Sequence, residues 1–349
     1  MSTGKRNFLV HIHPPMIRER TLAPTATFGL GIVCLTCLIL LVLTGLTLLL
    51  YYVPDEAVAY DRILHVITTL RFGRLVRNLH FLAANGLLIA GLLHLMRVFL
   101  TGSYKGRALN WFYGVALWHL ILLSNFTGYI LPWDQRSYWA IKVGSSLAAY
   151  YPVVGSSVRQ FLLGGSDVGP ETLLRCFAWH VAAVPALWLV LTSLHLWRIR
   201  KDGGLAAPDD ASGVRVPASP VLFRAELMVA FSTLAVLLAL ALFIDAPISG
   251  RADPLRPPNP AKAPWFFVGI QEMVSHSAII GGVLVPGLIA LFLLVCPFID
   301  RSQGSGGRWF ARQRLPLNLA FILIVVSQLA FIIVGQFFRA RNWAFMAPW

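Results

Sequence analysis

Long apolar runs alternate along the chain with shorter polar intervals that are mostly basic. Seven runs are long enough to cross a hydrocarbon core, which takes about 20 helical residues. They lie near 27–52, 79–101, 111–132, 176–197, 225–245, 280–298 and 317–337. The acidic residues fall outside these cores or at their ends, as the cost of placing a charge in lipid requires. The pattern predicts an all-α polytopic membrane protein with seven transmembrane helices.

The polar intervals divide the chain. Residues 202–220 (DGGLAAPDDASGVRVPASP) are rich in Gly, Pro, Asp and Ser and read as a linker. It separates a four-helix domain, 1–201, from a three-helix domain, 221–349. The intervals 133–175 and 246–279 are too long for simple turns, and loops of that length usually carry function. An odd number of crossings puts the termini on opposite sides. Sixteen of the 29 Lys and Arg residues fall on the side of the N-terminus, in the shorter loops. The positive-inside rule therefore places the N-terminus in the cytoplasm and both long loops outside, with the chain in a bacterial cytoplasmic membrane. No signal-peptide pattern opens the sequence, and no internal repeat is visible.

Composition agrees: 57% of the 349 residues are hydrophobic and 13% charged, too few charges to cover a soluble surface. The formal charge of +14 does not point to nucleic acid, because the basic residues flank apolar runs, where they meet anionic lipid. Cys34, Cys37, Cys176 and Cys296 lie in apolar stretches, and no Cys-x-x-Cys-His motif occurs. Covalent c-type haem and a cysteine-held cluster are not expected.

The histidines change the picture most. His80 and His94 are 14 residues apart on the second run, and His180 and His195 are 15 apart on the fourth. In an α-helix 14 residues give about 21 Å of rise and return to within ~40° of one face, while 15 give ~22 Å and a ~60° offset. The second and fourth runs cross in the same direction, so His80 faces His180 near the outer side and His94 faces His195 near the inner side. Each pair has the makings of a haem clamp, and two axial imidazoles favour electron transfer over oxygen chemistry. A single intramembrane histidine more often serves an interhelical hydrogen bond, but two matched pairs point to a di-haem four-helix bundle. His11, His13 and His65 read as solvated or interfacial, and His119 as structural.

Glycines repeat the interval. Gly31 and Gly45, and Gly114 and Gly128, are each 14 residues apart on the first and third runs. Helices that pass close to a flat porphyrin need residues without a side chain; ordinary small-residue helix packing explains one glycine but not two matched pairs. Arg77 and Arg175, just before His80 and His180, are candidates to pair with haem propionates.

These residues resemble the cytochrome b subunits of the bc1 and b6f complexes. The likeness rests on RNLH around His80, HLMRVFLTGSYKG from His94, TGYILPWDQRSYWAIKV from Thr127, RCFAWHV around His180 and HLWRIRKDG from His195. The wording is most similar to the b6 branch. ADPLRPPNPAKAPWFF at 252–267 resembles the short three-helix partner of that branch, fused here through 202–220. The resemblance implies two b haems and quinol oxidation at an outer site roofed by residues after Trp133 and by Pro264 and Trp265. One electron would go to a Rieske-type iron–sulfur protein and on to a c-type cytochrome or equivalent. The other would pass through both haems to a quinone near the inner face, where Arg200 matches the family's basic residue. It also implies a homodimer within a larger complex.

Two departures follow. Where the family usually reads Pro-Glu-Trp-Tyr, this chain has Ala263-Pro264-Trp265-Phe266, so the usual proton-accepting glutamate is missing. Quinol oxidation still needs a base, and Glu272 and His276 are the substitutes the sequence offers. The cysteine that would carry an extra covalent haem falls at Gly29, so none is expected. Two other functions compete: a di-haem anchor passing electrons from a dehydrogenase to quinone, and a haem-free scaffold or transporter. Neither needs the PWDQ and APWF segments.

Overall fold

The computed structural model describes residues 14–202, 213–302, 304 and 306–347. His11, His13 and the centre of the predicted linker, 203–212, lie outside them. The described chain is helical apart from its connections: α1 (Leu30–Leu49), α2 (Ala59–Thr68), α3 (Gly73–Leu100), α4 (Ala108–Ile130), α5 (Gln135–Ala148), α6 (Gly155–Leu163), α7 (Pro170–Lys201), α8 (Val221–Phe243), α9 (Trp265–His276), α10 (Ile280–Ile299) and α11 (Arg312–Phe337). Two three-residue strands, β1 (Met16–Arg18) and β2 (Arg215–Pro217), pair antiparallel, with Ile17 opposite Val216. The end of the predicted linker is thereby pinned to the N-terminal segment.

Six helices, α1, α3, α7, α8, α10 and α11, are long and apolar enough to cross a membrane. The run predicted at 111–132 also folds as a helix, the 23-residue α4. Asn110, His119, Asn125 and several aromatic rings dilute its aliphatic content, so α4 falls outside that set of six. Large apolar side chains stand exposed along the outward faces, among them Leu43, Leu46, Phe231, Leu242 and Leu323. Such a surface suits lipid and would aggregate in water.

The bundle core lies where α1, α3, α4, α7 and α8 meet, around Leu79, Ala83, Leu87, Ile121, Val184, Trp188 and Leu237. The back half docks through α8 on α1 and α3, while α9 packs on α11 and α10 touches α4. One end of the bundle is loop-rich, carrying α2, α5, α6 and residues 244–264. The opposite end carries β1, β2, the α3–α4 turn and the α10–α11 connection.

Polar side chains nail the two halves together at both ends. At the loop-rich end Arg77 donates to the carbonyls of Ala246 (2.7 Å) and Pro247 (2.8 Å), and Asn78 accepts from Ala246 N at 2.9 Å. Asp134 caps α5 by accepting from Ser137 N (2.9 Å) and also binds Ser249 N (2.7 Å) and Ser249 Oγ (2.8 Å). At the opposite end Arg314, fully buried, donates through Nε to Asp300 (2.8 Å) and through Nη2 to the Tyr104 hydroxyl (2.9 Å).

Helix α7 contains a π turn over Trp179–Ala183, in which Val184 N–H reaches back to the Trp179 carbonyl. A second lies at Ile280–Leu284 in α10, where Val285 N–H bonds to the Ile280 carbonyl. Both precede a Val-Pro pair, Val184-Pro185 and Val285-Pro286. A proline inside a helix lacks an N–H and crowds the carbonyl four residues back; a widened turn with one extra residue relieves that crowding. The same turn revises the expected 60° offset of His180 and His195. Because it takes up one residue of the 15, the phase returns to that of a 14-residue interval, about 40°, matching His80 and His94.

Candidate functional site

The four histidines singled out by their spacing fall into two pairs. His80 on α3 and His180 in the π turn of α7 have ring centroids 6.3 Å apart with planes at 68°. With metal–imidazole bonds of about 2 Å on each side, that separation accommodates one metal atom between the rings. His94 on α3 and His195 on α7 lie within electrostatic reach of each other further along the bundle.

Every one of these rings is backed by one of the four predicted glycines. A Cβ on Gly45 would stand 3.3 Å from His80 Cε1, and one on Gly128 only 2.5 Å from His180 Cε1. On Gly31 it would meet His94 Cε1 at 3.6 Å, and on Gly114 His195 Cε1 at 3.7 Å. Helix α1 therefore backs α3, and α4 backs α7. At Gly128 nothing larger than hydrogen fits beside the imidazole in its present place.

Two residues not foreseen from the sequence complete one pair. Thr44 Oγ1 lies 2.9 Å from His80 Nδ1, and Thr127 Oγ1 lies 3.1 Å from His180 Nδ1. Each hydroxyl already donates within its own helix, to Leu40 O (2.6 Å) and Leu123 O (2.9 Å). Each oxygen must then accept a proton from the ring, which fixes the Nδ1–H tautomer and leaves Nε2 with its lone pair. Hydrogen bonding at the far nitrogen also raises the basicity of a histidine ligand. The sequence signal is the dipeptide Thr-Gly, at 44–45 and again at 127–128. His94 and His195 have no such hydroxyl: neither Nδ1 has a side-chain partner among the described residues, and His195 has the Asn110 backbone nearby.

A cavity of about 1350 Å³ opens at the His80/His180 end and runs toward the loop-rich surface. Its walls include both histidines, Gly45, Gly128, Arg77, Tyr129, Lys262, Pro264 and Trp265. Pro264 caps α9, and Trp265 Nε1 donates to Asn85 Oδ1 on α3 at 2.7 Å, which fixes the indole against the front half. Lys262 donates to the Gln336 carbonyl at 2.7 Å, and burial draws its ammonium pKa below the ordinary lysine value.

The remaining predicted residues fall elsewhere. Arg77 lines the cavity, with its guanidinium also donating to the Ala246 and Pro247 carbonyls. Arg175 is held away from it, with its guanidinium over the Phe161 ring at 5.6 Å and donating to the Phe161 carbonyl. Arg200 lies in the last turn of α7, beyond His195. His119 Nδ1 bonds to the Val115 carbonyl at 2.8 Å, a structural use. Glu272 and His276 do not line the cavity. The Glu272 carboxylate is turned to the other face of α9, where Arg339 Nε (2.9 Å) and Trp343 Nε1 (2.9 Å) donate to it. His276 Nε2 stands 3.3 Å from Glu272 with a side chain 65% exposed. Burial alone would raise the Glu272 pKa, but the bonds from Arg339, Trp343 and His276 outweigh it and hold the carboxyl below its usual range. A carboxylate so committed is a poor proton acceptor, which removes the geometric basis for the sequence assignment.

These residues fit haem b. Among the described residues no three His, Cys, Asp or Glu side chains converge on a metal site, so a bare ion would find two ligands at each pair. A porphyrin, which brings four nitrogens of its own, would need only the two imidazoles that each pair offers between glycine-backed helices.

Comparison with known proteins agrees. A family model described as cytochrome b/b6/petB matches residues 20–203. Cytochrome b6 of Acaryochloris marina is 41% identical over 177 residues, covering 50% of this chain and 82% of that protein. Cytochrome b6 of Cyanidium caldarium is 40% identical over 174 residues, with coverage of 50% and 81%. A solved chain of a hyperthermophilic respiratory Complex III superimposes with a TM-score of 0.79 at 26% identity, covering 89% of this chain and 84% of that one, so the likeness extends into the back half. The chain belongs to the cytochrome b/b6 family, and is an integral membrane cytochrome b of the bc1/b6f type.

Proposed function

We propose that this chain is the quinol-oxidising subunit of a bc-type complex, with its loop-rich end on the outer face of a bacterial cytoplasmic membrane and α4 crossing as a seventh span. The observation that carries the reading is the continuity of one cavity from His80 and His180 to Lys262, Pro264 and Trp265. A quinol bound there lies next to the electron-accepting pair and beside the outer surface.

Quinol oxidation releases two electrons and two protons. One electron leaves to a Rieske-type iron–sulfur partner and on to a c-type cytochrome or equivalent acceptor. The other crosses the bundle from the His80/His180 end to the His94/His195 end, where a quinone near Arg200 is reduced. His80 and His180 would hold one haem b and His94 and His195 a second, and each group would supply a one-electron couple. The protein's own residues do the rest. Thr44 and Thr127 hold the outer imidazoles in the tautomer that leaves Nε2 free. Gly31, Gly45, Gly114 and Gly128 keep the slots open. Arg77 presents a cation at the outer slot, and the Trp265–Asn85 bond sets the cavity wall. Lys262, beside Pro264, is the cationic group placed to bond the quinol oxygen and favour loss of its proton. Protons released outside and taken up inside build a gradient.

The purified complex tests this. A reduced-minus-oxidised spectrum with a b-type band, two non-covalent haems per chain by pyridine haemochrome, and a co-purifying iron–sulfur subunit are expected. A molybdenum or nickel subunit in its place would favour the dehydrogenase anchor. A colourless protein would end both redox readings.

A further inference from the structure

Residues 338–347 fold back over α9 instead of trailing away. Arg339 Nη1 donates to the Trp343 carbonyl at 3.1 Å, Ala340 N to Ala344 O at 2.9 Å and Met346 N to Phe338 O at 3.0 Å. The Phe338 and Phe345 rings stack at 5.7 Å. This compact strap grips the 257–276 segment in two places. At one, Asn342 N donates to Asn259 Oδ1 and Asn259 Nδ2 to Asn342 Oδ1, both at 2.6 Å. At the other, Arg339 and Trp343 close on Glu272, which is 1% exposed.

Between the two grips stand Lys262, Pro264 and Trp265, all in the cavity wall. Helix α9 turns Trp265, Phe266, Ile270 and Gln271 to the cavity and buries Val268, Gly269, Glu272 and Met273 on its other side. There Gly269 and Gly335 let α9 and α11 approach closely: a Cβ on Gly269 would stand 2.9 Å from Ile332, and one on Gly335 3.0 Å from Val268. The strap is held against local preference, because Asn342 (φ 55°) and Trp343 (φ 59°) both have left-handed backbones. Such conformations are uncommon outside glycine, above all for a bulky residue, and persist only where surrounding contacts over-determine them. The contacts that do so here are those to Asn259 and Glu272.

We infer that the C-terminal strap is a positioning element for the quinol cavity, with Arg339 and Trp343 acting through Glu272, and Asn342 through Asn259, to set where Pro264 and Trp265 stand. Glu272 then serves the site from behind the helix as an anchor. The inference rests on the quinol-oxidising reading for its functional consequence, but its structural content does not depend on that reading.

The test uses the full complex carrying Arg339→Met, Arg339→Lys or Trp343→Phe. Both haems should be retained. The KM for quinol, or the Kd of an inhibitor of the outer site, should rise about tenfold for Arg339→Met, the cost of a charge-assisted bond. It should rise severalfold for Trp343→Phe and be largely rescued by Arg339→Lys, with kcat little changed. Amide exchange across 257–271 should quicken about tenfold in Arg339→Met whether or not quinol is the ligand. If Arg339→Met does not assemble, Trp343→Phe carries the same two readouts. Unchanged KM and unchanged exchange in the assembled variants would overturn the inference. A wild-type complex that ignores quinol, combined with faster exchange in the variants, would instead overturn the quinol reading and leave the strap standing.

Discussion

Gly128 stands so close to His180 that a Cβ on it would lie 2.5 Å from the ring Cε1, whereas the corresponding distance from Gly114 to His195 is 3.7 Å. The first would be an overlap and the second an ordinary contact. Gly128→Ala is therefore expected to displace the His180 imidazole and leave one haem per chain, with the outer one lost. Gly114→Ala should leave His195 in place. Haem-to-protein ratios of the two variants, measured by pyridine haemochrome, check the contrast; equal ratios would refute it.

The threonine bonds differ between the two ends of the bundle in the same asymmetric way. Thr44 and Thr127 accept from His80 and His180, while among the described residues no hydroxyl stands at the Nδ1 of His94 or His195. A ring whose Nδ1–H is hydrogen-bonded is the more electron-rich ligand and stabilises oxidised iron. Thr127→Val should raise the midpoint potential of the outer haem and leave the inner one unmoved, as a redox titration resolving the two would show. A fall in the outer potential would contradict the tautomer assigned here.

Much of this was legible in the sequence because helical period and haem geometry both act locally. A porphyrin clamped between parallel helices forces ligands and glycines onto one face, so 14-residue intervals survive as text. The Thr-Gly dipeptides at 44–45 and 127–128 stood in the same text unread, because a threonine in an apolar helix carries no signal until its histidine is placed beside it. The fate of Glu272 was not. Its partner Arg339 is 67 residues away, and only the return of the strap onto α9 decides which face of that helix meets the cavity. The aromatic and basic tail was visible without its purpose. Nor did the 15-residue interval announce its π turn, although Pro185 stood there as the cause.

That π turn makes a register prediction. Pro185 pins the widened turn over Trp179–Ala183, so the spare residue has a definite place. Deleting the exposed Ala182 should close the turn into a regular one and keep His180 and His195 in phase, with two haems retained. Deleting Val190, beyond the proline, leaves the turn in place and rotates His195 by about 100° relative to His180, so one haem should be lost. Both deletions give a 14-residue interval, and equal haem contents in the two would show that the turn does not set the phase.

Lys262 lines the cavity next to Pro264, and its present acceptor is the carbonyl of Gln336. Burial already disfavours its ammonium, which strengthens any bond it gives to an oxygen that is losing a proton. Lys262→Met should raise the KM for quinol about tenfold with both haems in place. Steady-state oxidation by membranes carrying the variant checks this, and an unchanged KM would remove Lys262 from the site.

At the opposite end Arg314 and Asp300, both in the back half and at most 1% exposed, form an ion pair that Tyr104 and Lys105 of the front half bond to. Burial pushes the Asp300 carboxyl upward, but bonds from Ser302, Arg314, Tyr104 and Lys105 outweigh it and hold its pKa well below the ordinary carboxylate range. A depressed carboxylate contributes stability that is fully present above its unfolded pKa of about 3.9 and lost as pH falls through the folded value. Asp300→Asn leaves Arg314 buried without a counter-charge, which costs about 3–5 kcal/mol. The variant should therefore melt lower than wild type at neutral pH. The gap should narrow only as the pH drops under about 4, where the unfolded chain takes up a proton that the folded aspartate still refuses. Combining Asp300→Asn with Arg314→Met should cost less than the two single changes added together, because the second removes the charge the first strands. Thermal unfolding of the detergent-solubilised protein across pH measures all three, and a gap independent of pH, with additive effects, would show that the pair does not stabilise this end through its charge.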